Sequence, residues 1–276
     1  YEFLDKKPFT DVYFTSILRD ETGKKLSKSL GNSPDPLDLF KEYGTDAVRF
    51  GIMLMAPQGL DVLFSSDRLD IGRNFMNKLW NACRFVSMNK PVGWDENFEL
   101  NNEHLNLPDK WIFNRLNRTI KNYNQQLERF RFNEAAKIIY DFVWNDFCDW
   151  YIEIAKTRFH SENEQDKITT YDICVACIRK VLLLMHPYTP FITEELWSFF
   201  KSRTANDLIV SFWPSEDMSL INDKIEDKMS ILQDLISSIR AIRSRVNISP
   251  SKTIDIKIKG NHNQKEFINQ NSNLII

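Results

Sequence analysis

Over most of its length the chain repeats apolar residues at the spacing of an α-helix, and no other feature narrows its fold so far. Ile71, Phe75, Leu79, Ala82 and Val86 fall at i, i+4, i+8, i+11 and i+15, one face of a helix with Ser65 or Ser66 as its cap. Ile112, Leu116, Ile120, Tyr123 and Leu127 draw a second helix over about 109–130. A third opens at Asn133 and runs through Ile138, Ile139, Phe142 and Trp150 to about Phe159. After a polar loop, Ser161 to Lys167, a fourth covers about 171–185; Thr189 then caps a fifth that has Pro190 at its first position. Ile225, Met229, Leu232, Ile236, Ile239, Ile242 and Val246 define a sixth, which Pro250 stops. Long amphipathic helices in series predict a bundle. Only eight of the 276 residues are glycine, where roughly 7% is usual, so tight turns are few.

The first 65 residues have a different texture. Val12-Tyr13-Phe14 and Ser16-Ile17-Leu18 are short apolar runs that predict a buried strand. Asp20 to Lys25 reads as a hairpin-like turn and Lys25 to Asn32 as a loop. Asp35 then caps, and Pro36 opens, a short helix with Leu37, Leu39 and Phe40 turned inward and Tyr43-Gly44 as its stop. A second short helix runs from Thr45 or Asp46 to Met55, ahead of Pro57. Pro91-Val92-Gly93 breaks the first long helix, and 92–108 reads as an irregular connector. Near the end, Ile254, Ile256 and Ile258 alternate with Asp255, Lys257 and Lys259, the period of a strand. The terminal Leu274-Ile275-Ile276 reads as part of an element. The expectation is a mainly α chain in three parts: an α/β piece over 1–65, a helical bundle over 66–214, and a long helix plus strand over 215–276.

Lys and Arg number 36 against 38 Asp and Glu, so any nucleic-acid contact must come from a local patch. Twenty Phe, eight Tyr and seven Trp exclude a disordered tail. The most apolar run, Val181 to Met185, is far short of the roughly 20 residues of a spanning helix, so no membrane partner is expected. Four Cys without a regular framework fit a reducing compartment, and the cytoplasm is the expected location. Cys174 and Cys177 have the spacing of a metal pair, but no second pair completes four ligands and both lie on a buried stripe; they read as core, and no metal site is expected. His186 reads as structural, closing a helix. Residue 1 is Tyr, not Met, and the chain reads as a piece of something longer.

Chemistry gathers in two places. In Lys25-Leu26-Ser27-Lys28-Ser29-Leu30-Gly31-Asn32, two lysines three apart among hydroxyls and a glycine make a cationic loop able to close over a triphosphate. The same letters also fit a solvated Lys/Ser loop. On the first bundle helix, Arg73, Asn77, Lys78, Asn81, Arg84 and Phe85 supply the cations, amides and ring that splayed bases need. Phe85 fits a stacking face or core packing beside Val86, and Asn77 and Asn81 fit base edges or helix packing. Lys110, Arg115, Arg118 and Lys121 form a second basic cluster or a solvated face. Arg240, Arg243, Arg245, Lys252, Lys257 and Lys259 oppose only Asp255, a basic end suited to phosphate or to a soluble surface.

Lys25-Leu-Ser-Lys-Ser resembles the second signature of the class I aminoacyl-tRNA synthetases, with Leu26 where Met is commoner. Leu18-Arg-Asp-Glu-Thr-Gly-Lys-Lys, Tyr43-Gly-Thr-Asp-Ala-Val-Arg-Phe, Arg73-Asn-Phe-Met-Asn-Lys-Leu-Trp-Asn-Ala-Cys-Arg-Phe and His186-Pro-Tyr-Thr-Pro-Phe-Ile-Thr-Glu-Glu-Leu-Trp narrow the match to the valyl branch rather than the isoleucyl and leucyl ones. The resemblance implies that 1–65 is the end of a Rossmann-type catalytic domain, that the bundle binds the anticodon, and that a small α/β C-terminal domain starts after it. It implies ATP-dependent ligation of valine to valine tRNA through valyl-adenylate, with Mg²⁺ as the counter-ion of ATP. Lys28 would contact the ATP phosphates with Lys25 assisting, Ser27, Ser29 and Gly31 would shape the ATP-binding loop, and Arg73, Asn77, Lys78, Asn81, Arg84 and Phe85 would meet the tRNA. No His-x-Gly-His-like signature, first nucleotide-binding half or editing insertion is present, so ATP and valine are expected to bind only with a missing catalytic half and the chain alone to be inactive. The same region of the isoleucyl branch, or a non-catalytic helical tRNA-binding module, are the other readings.

Overall fold

The structure, a computed structural model, describes residues 5–56, 59–94, 105–202, 205–249 and 252–274. Two short strands, β1 (Leu18–Arg19) and β2 (Val62–Leu63), pair in parallel with Leu18 opposite Val62 and Arg19 opposite Leu63. Between them stand α1 (Pro36–Tyr43) and α2 (Thr45–Met55). The long helices follow: α3 (Leu69–Met88), α4 (Leu107–Glu128), α5 (Phe132–Asp141), a π-helical stretch Phe142–Ile152 continued by α6 (Glu153–Phe159), and α7 (Glu164–Met185). α8 (Pro190–Phe200), α9 (Asp223–Arg245) and α10 (His262–Gln270) complete the order.

Local chemistry sets several of the helix ends. Asp35 accepts from the Leu37 amide with Pro36 at the first position, and Gly44 at φ 89° ends α1. Asn106 and Asp109 form a reciprocal capping box at the start of α4. Asn163 accepts from the Gln165 and Asp166 amides and starts α7 at Glu164, inside the stretch expected as loop. Thr189 caps nothing with its side chain, because its hydroxyl donates to the Met185 carbonyl. Ser65 makes no cap either; a 3-10 turn, Ser66–Arg68, leads into α3 instead.

The core joins α2 to the bundle. Phe50 stacks on Phe75 at 4.9 Å, and Phe75 on Tyr140 at 4.8 Å. The helices cross so closely that a Cβ on Gly72 would stand 2.1 Å from the Ala47 carbonyl oxygen. Asp46 accepts from the Ile192 amide at 2.6 Å, and Arg49 donates to the Tyr188 carbonyl at 2.9 Å, fastening α2 to the α7–α8 corner. Inside the bundle a fully buried Asp109 accepts from Arg158 at 2.5 Å and from Tyr151 at 2.8 Å, while Arg158 reaches on to Asp166 at 2.5 Å. Buried Asn114 and Asn117 of α4 accept from the Asn222 and Asp217 amides and hold down the strap that leads to α9. Arg115 and Arg118 then pair with Asp146, Glu226 and Asp223 to lock the first turns of α9.

Other expectations are corrected. The strand at 12–18 shrinks to Leu18–Arg19, and Val12, Phe14 and Ile17 are exposed; β2 and a single bridge to Lys25 reach β1 at Leu18 and Arg19. Ile254, Ile256 and Ile258 form no strand: alternation specifies a face, but a strand needs a partner for its backbone groups, and none pairs with them among the described residues. Leu37 and Ile71 are exposed rather than inward. Cys174 and Cys177 are fully buried on α7, as core. Pro57, residues 95–104 of the connector, Pro250 and Ile275-Ile276 lie outside the described residues.

Two expected outcomes follow. Gly72→Ala pushes α2 and α3 apart and costs about 2–3 kcal/mol in urea unfolding; an unchanged midpoint would show that the helices part without strain. Trp94 donates to Asp172 at 2.6 Å, and burial pushes that carboxyl up to about 6, with Trp94 and Arg179 opposing. A raised carboxyl stabilises the fold fully below its unfolded value and loses that contribution as pH rises through about 6. Asp172→Asn should therefore gain stability relative to the parent as pH rises from about 4 to 6 and hold that gain above it, whereas parallel unfolding curves would contradict this.

Candidate functional site

The lysine loop is built on a turn and held by an amide. The chain leaves β1, turns at Gly23 (φ 84°) and returns so that Lys25 bridges Arg19. Lys28–Leu30 forms one 3-10 turn, closed by Gly31 at φ 67°, a conformation that favours glycine. Asp20 accepts from the Thr22 and Lys24 amides and the Thr22 hydroxyl, and hydrogen bonds from Thr22 first and Asn32 next draw its carboxyl down to about 2. Asn32 accepts from the Ser27 amide at 2.9 Å and donates to Asp20 at 2.7 Å. The hydroxyls of Ser27 and Ser29 bond each other at 2.8 Å, and Lys25 and Lys28 are exposed. The result is a fixed frame with two lysines projecting into water. In the sequence Asp20 and Asn32 read only as turn and loop residues, with the Asp-x-Thr turn pattern as the one signal of the frame they build.

On α3 the candidate residues divide. Asn77, Asn81 and Arg84 are exposed, and none of them makes a hydrogen bond or ion pair among the described residues. Arg73, on the same face, pairs with Asp70 at 2.5 Å and lies 5.3 Å above the Tyr43 ring. Lys78 is committed: it bonds Asp149 at 2.6 Å and sits 3.8 Å over the Trp144 ring. Phe85 is half-buried and meets Phe159 edge-on at 5.8 Å. A cleft of about 310 Å³ beside Arg73 and Asn77 is walled by Tyr43 and Phe191, and a pocket of about 90 Å³ beside Arg84 is walled by Trp80, Met88 and Phe199. Phe191, Phe199 and Trp80 expose 67, 54 and 37% of their surface. These three aromatics were missed in the sequence, since Phe191 and Phe199 lie on another helix.

The other basic clusters are partly engaged. Arg115 and Arg118 hold α9, Arg240 lies 5.5 Å from the Trp150 ring, and Arg243 donates to the Ser249 and Lys252 carbonyls. Burial pushes the Cys174 and Cys177 thiols up, away from the thiolate a metal needs. Among the described residues no group of three or more His, Cys, Asp or Glu is placed to hold a metal ion, and no helix is long and apolar enough to cross a membrane.

Two family models match. Residues 109–258 fit the anticodon-binding domain of tRNA ligase, and residues 1–65 fit tRNA synthetases class I (I, L, M and V). A valine--tRNA ligase of Fusobacterium nucleatum is 45% identical over 95% of this chain and 30% of its own length. One from Petrotoga mobilis is 40% identical over 99% of the chain and 31% of its own length. The chain thus spans about 30% of the length of these curated relatives. A ternary complex of the Agrobacterium radiobacter K84 agnB2 LeuRS with tRNA and LeuAMS has the same fold over 78% of this chain and 25% of that one, with a TM-score of 0.61 at 22% identity. The Mycobacterium tuberculosis methionyl-tRNA synthetase with methionyl-adenylate matches 66% of this chain and 36% of that one, with a TM-score of 0.51 at 19% identity.

The division on α3 is testable by stability. Lys78→Met should cost about 1–2 kcal/mol, and Arg84→Ala should stay within about 0.5 kcal/mol. Equal losses in urea titrations would show that Arg84 is engaged too.

Proposed function

The chain belongs to the family of the anticodon-binding domain of tRNA ligase, and from that premise we propose that it supplies two working parts of a valine--tRNA ligase: a phosphate-clamping loop and a tRNA grip. The observation that carries the reading is the face of α3, where Arg73, Asn77, Asn81 and Arg84 lie in one row with the exposed rings of Trp80, Phe191 and Phe199 alongside. Amides and guanidinium groups read base edges and phosphate, and rings stack unpaired bases, so such a row suits a single-stranded RNA loop. Lys78 contributes from behind by holding α3 to Trp144 and Asp149, and Phe85 by packing on Phe159.

The reaction we propose for the whole ligase has two steps. A valine carboxylate oxygen attacks the α-phosphorus of ATP, the bond to the β-phosphate oxygen breaks, and pyrophosphate leaves with valyl-adenylate behind. A terminal hydroxyl of valine tRNA then attacks the valyl carbonyl and AMP departs. Charge grows on the pyrophosphate in the first step, and Lys28 with Lys25 would neutralise it from the loop that Ser27, Ser29 and Gly31 shape. ATP would bring Mg²⁺ as its own counter-ion. The adenine and valine pockets fall to parts of the relatives that this chain does not span, and the chain alone should support no valine-dependent pyrophosphate exchange. We assign residues 1–65 to the catalytic part, 66–214 to the anticodon-binding bundle and 215–276 to the start of a C-terminal domain, and place the protein in the cytoplasm, where its four free thiols stay reduced.

Binding of the chain to valine tRNA, and to the same tRNA with its anticodon exchanged, tests the grip at one fixed salt concentration. The native anticodon should bind at least about tenfold tighter, and Arg84→Ala should remove most of that preference, each lost base-edge contact being worth roughly 1–3 kcal/mol. Equal binding to both tRNAs would reject anticodon reading by this face.

A further inference from the structure

The lysine loop begins and ends on one side chain. Asn32, the residue after the left-handed Gly31, turns back and accepts from the Ser27 amide at 2.9 Å, while its own amide donates to Asp20 at 2.7 Å and to the Lys25 carbonyl at 3.3 Å. One half-buried amide therefore touches the turn that precedes the loop, the loop's first lysine and the backbone just ahead of its second. Asp20 is itself immobilised by the Thr22 and Lys24 amides, and its neighbour Arg19 bonds both Asp61 and the Gly23 carbonyl. The arrangement needs a side chain that accepts and donates at once, and a neutral amide does both: the Ser27 side needs an acceptor and the Asp20 side needs a donor.

We propose that Asn32 is a positioning residue, which clasps the loop to Asp20 so that Lys25 and Lys28 present their charges to a polyphosphate from a fixed frame. The inference rests on the reading of the loop as a phosphate clamp. It assigns Asn32 no contact with phosphate. The clasp acts by removing loop entropy before the anion arrives, so that less ordering is left to offset on binding.

The probe is inorganic pyrophosphate, titrated at fixed salt into the whole chain labelled for amide NMR and read at residues 24–32. Pyrophosphate should shift these amides in the parent, and Lys28→Ala should abolish the response. Asn32→Ala should weaken binding about fivefold, the effect of one net hydrogen bond, while thermal unfolding stays within about 2 °C, since the bundle core is untouched. Asn32→Asp should weaken it at least as much, because two carboxylates then face each other. The double exchange Asp20→Asn with Asn32→Asp keeps an acceptor for Ser27 and restores one donor between the two side chains, while the Lys25 carbonyl loses its donor; it should recover part of the affinity that Asn32→Asp loses. Pyrophosphate binding that Lys28→Ala abolishes and Asn32→Ala leaves unchanged would overturn the clasp and leave the clamp standing. A double exchange that recovers nothing over Asn32→Asp would also overturn the clasp. No response in the parent would overturn the clasp, which is meant to ready the loop before any other part binds, and would leave the clamp to the whole ligase.

Discussion

A single buried charge organises the bundle. Asp109 has no exposure to water, closes the cap of α4, and takes hydrogen bonds from Arg158 on α6 and Tyr151 in the π-helical stretch, while Arg158 reaches on to Asp166 of α7. Burial drives its carboxyl up, with Arg158 and Tyr151 opposing. Such a pair adds little net stability when intact, because desolvation offsets most of the attraction, yet removing one partner typically costs about 3–5 kcal/mol. Its contribution is alignment. The start of α4, the end of α6 and the first turns of α7 have one mutual register in which that carboxylate is satisfied, and α3 lies against the assembly so aligned.

The loop and the α3 face use rigidity in different ways. The lysine loop is irregular backbone, and its order comes from a few directed hydrogen bonds on a two-strand base. The α3 face is regular backbone, and its order comes from Phe75, Leu79 and Val86 packed beneath it. In the first case a point change alters what the loop can hold; in the second the exposed row can vary while the helix stays in place. The close passage of α2 over Gly72, with no room for a Cβ, couples the two regions, since α2 follows the loop in the chain and packs on α3 in space.

The helices were legible because burial on one side leaves a periodic trace: the stripes of α3 and α4 mark their buried faces, Ile71 apart, whereas on α9 only Met229 and Leu232 are buried and Ile242 and Val246 stand exposed. The start of α7 was not, because Glu164-Gln-Asp-Lys carries no apolar stripe and only the Asn163 cap marks it. Alternation at 254–258 read as a strand, since the pattern reports one residue's face and is silent about a partner strand. In the candidate sites, the row on α3 and the lysine loop stood out by residue type. What the residue types could not convey was commitment: Lys78 and Arg84 look alike in the sequence, and only the positions of Trp144 and Asp149 separate them. Asp20 and Asn32, or Asp109 and Arg158, are too far apart in the chain for any period to link them.

The long helix α9 is seated on α4 by Met229, Leu232 and the Arg115 and Arg118 pairs, and it carries the basic segment and α10 at its far end. It therefore works as a keyed shaft. Inserting or deleting one residue between Leu232 and Ile239 would turn everything beyond by about 100° and move it along the axis by about 1.5 Å. The direction in which the terminal segment faces is thus encoded as a residue count, and within that interval length is held more tightly than the identity of any exposed side chain.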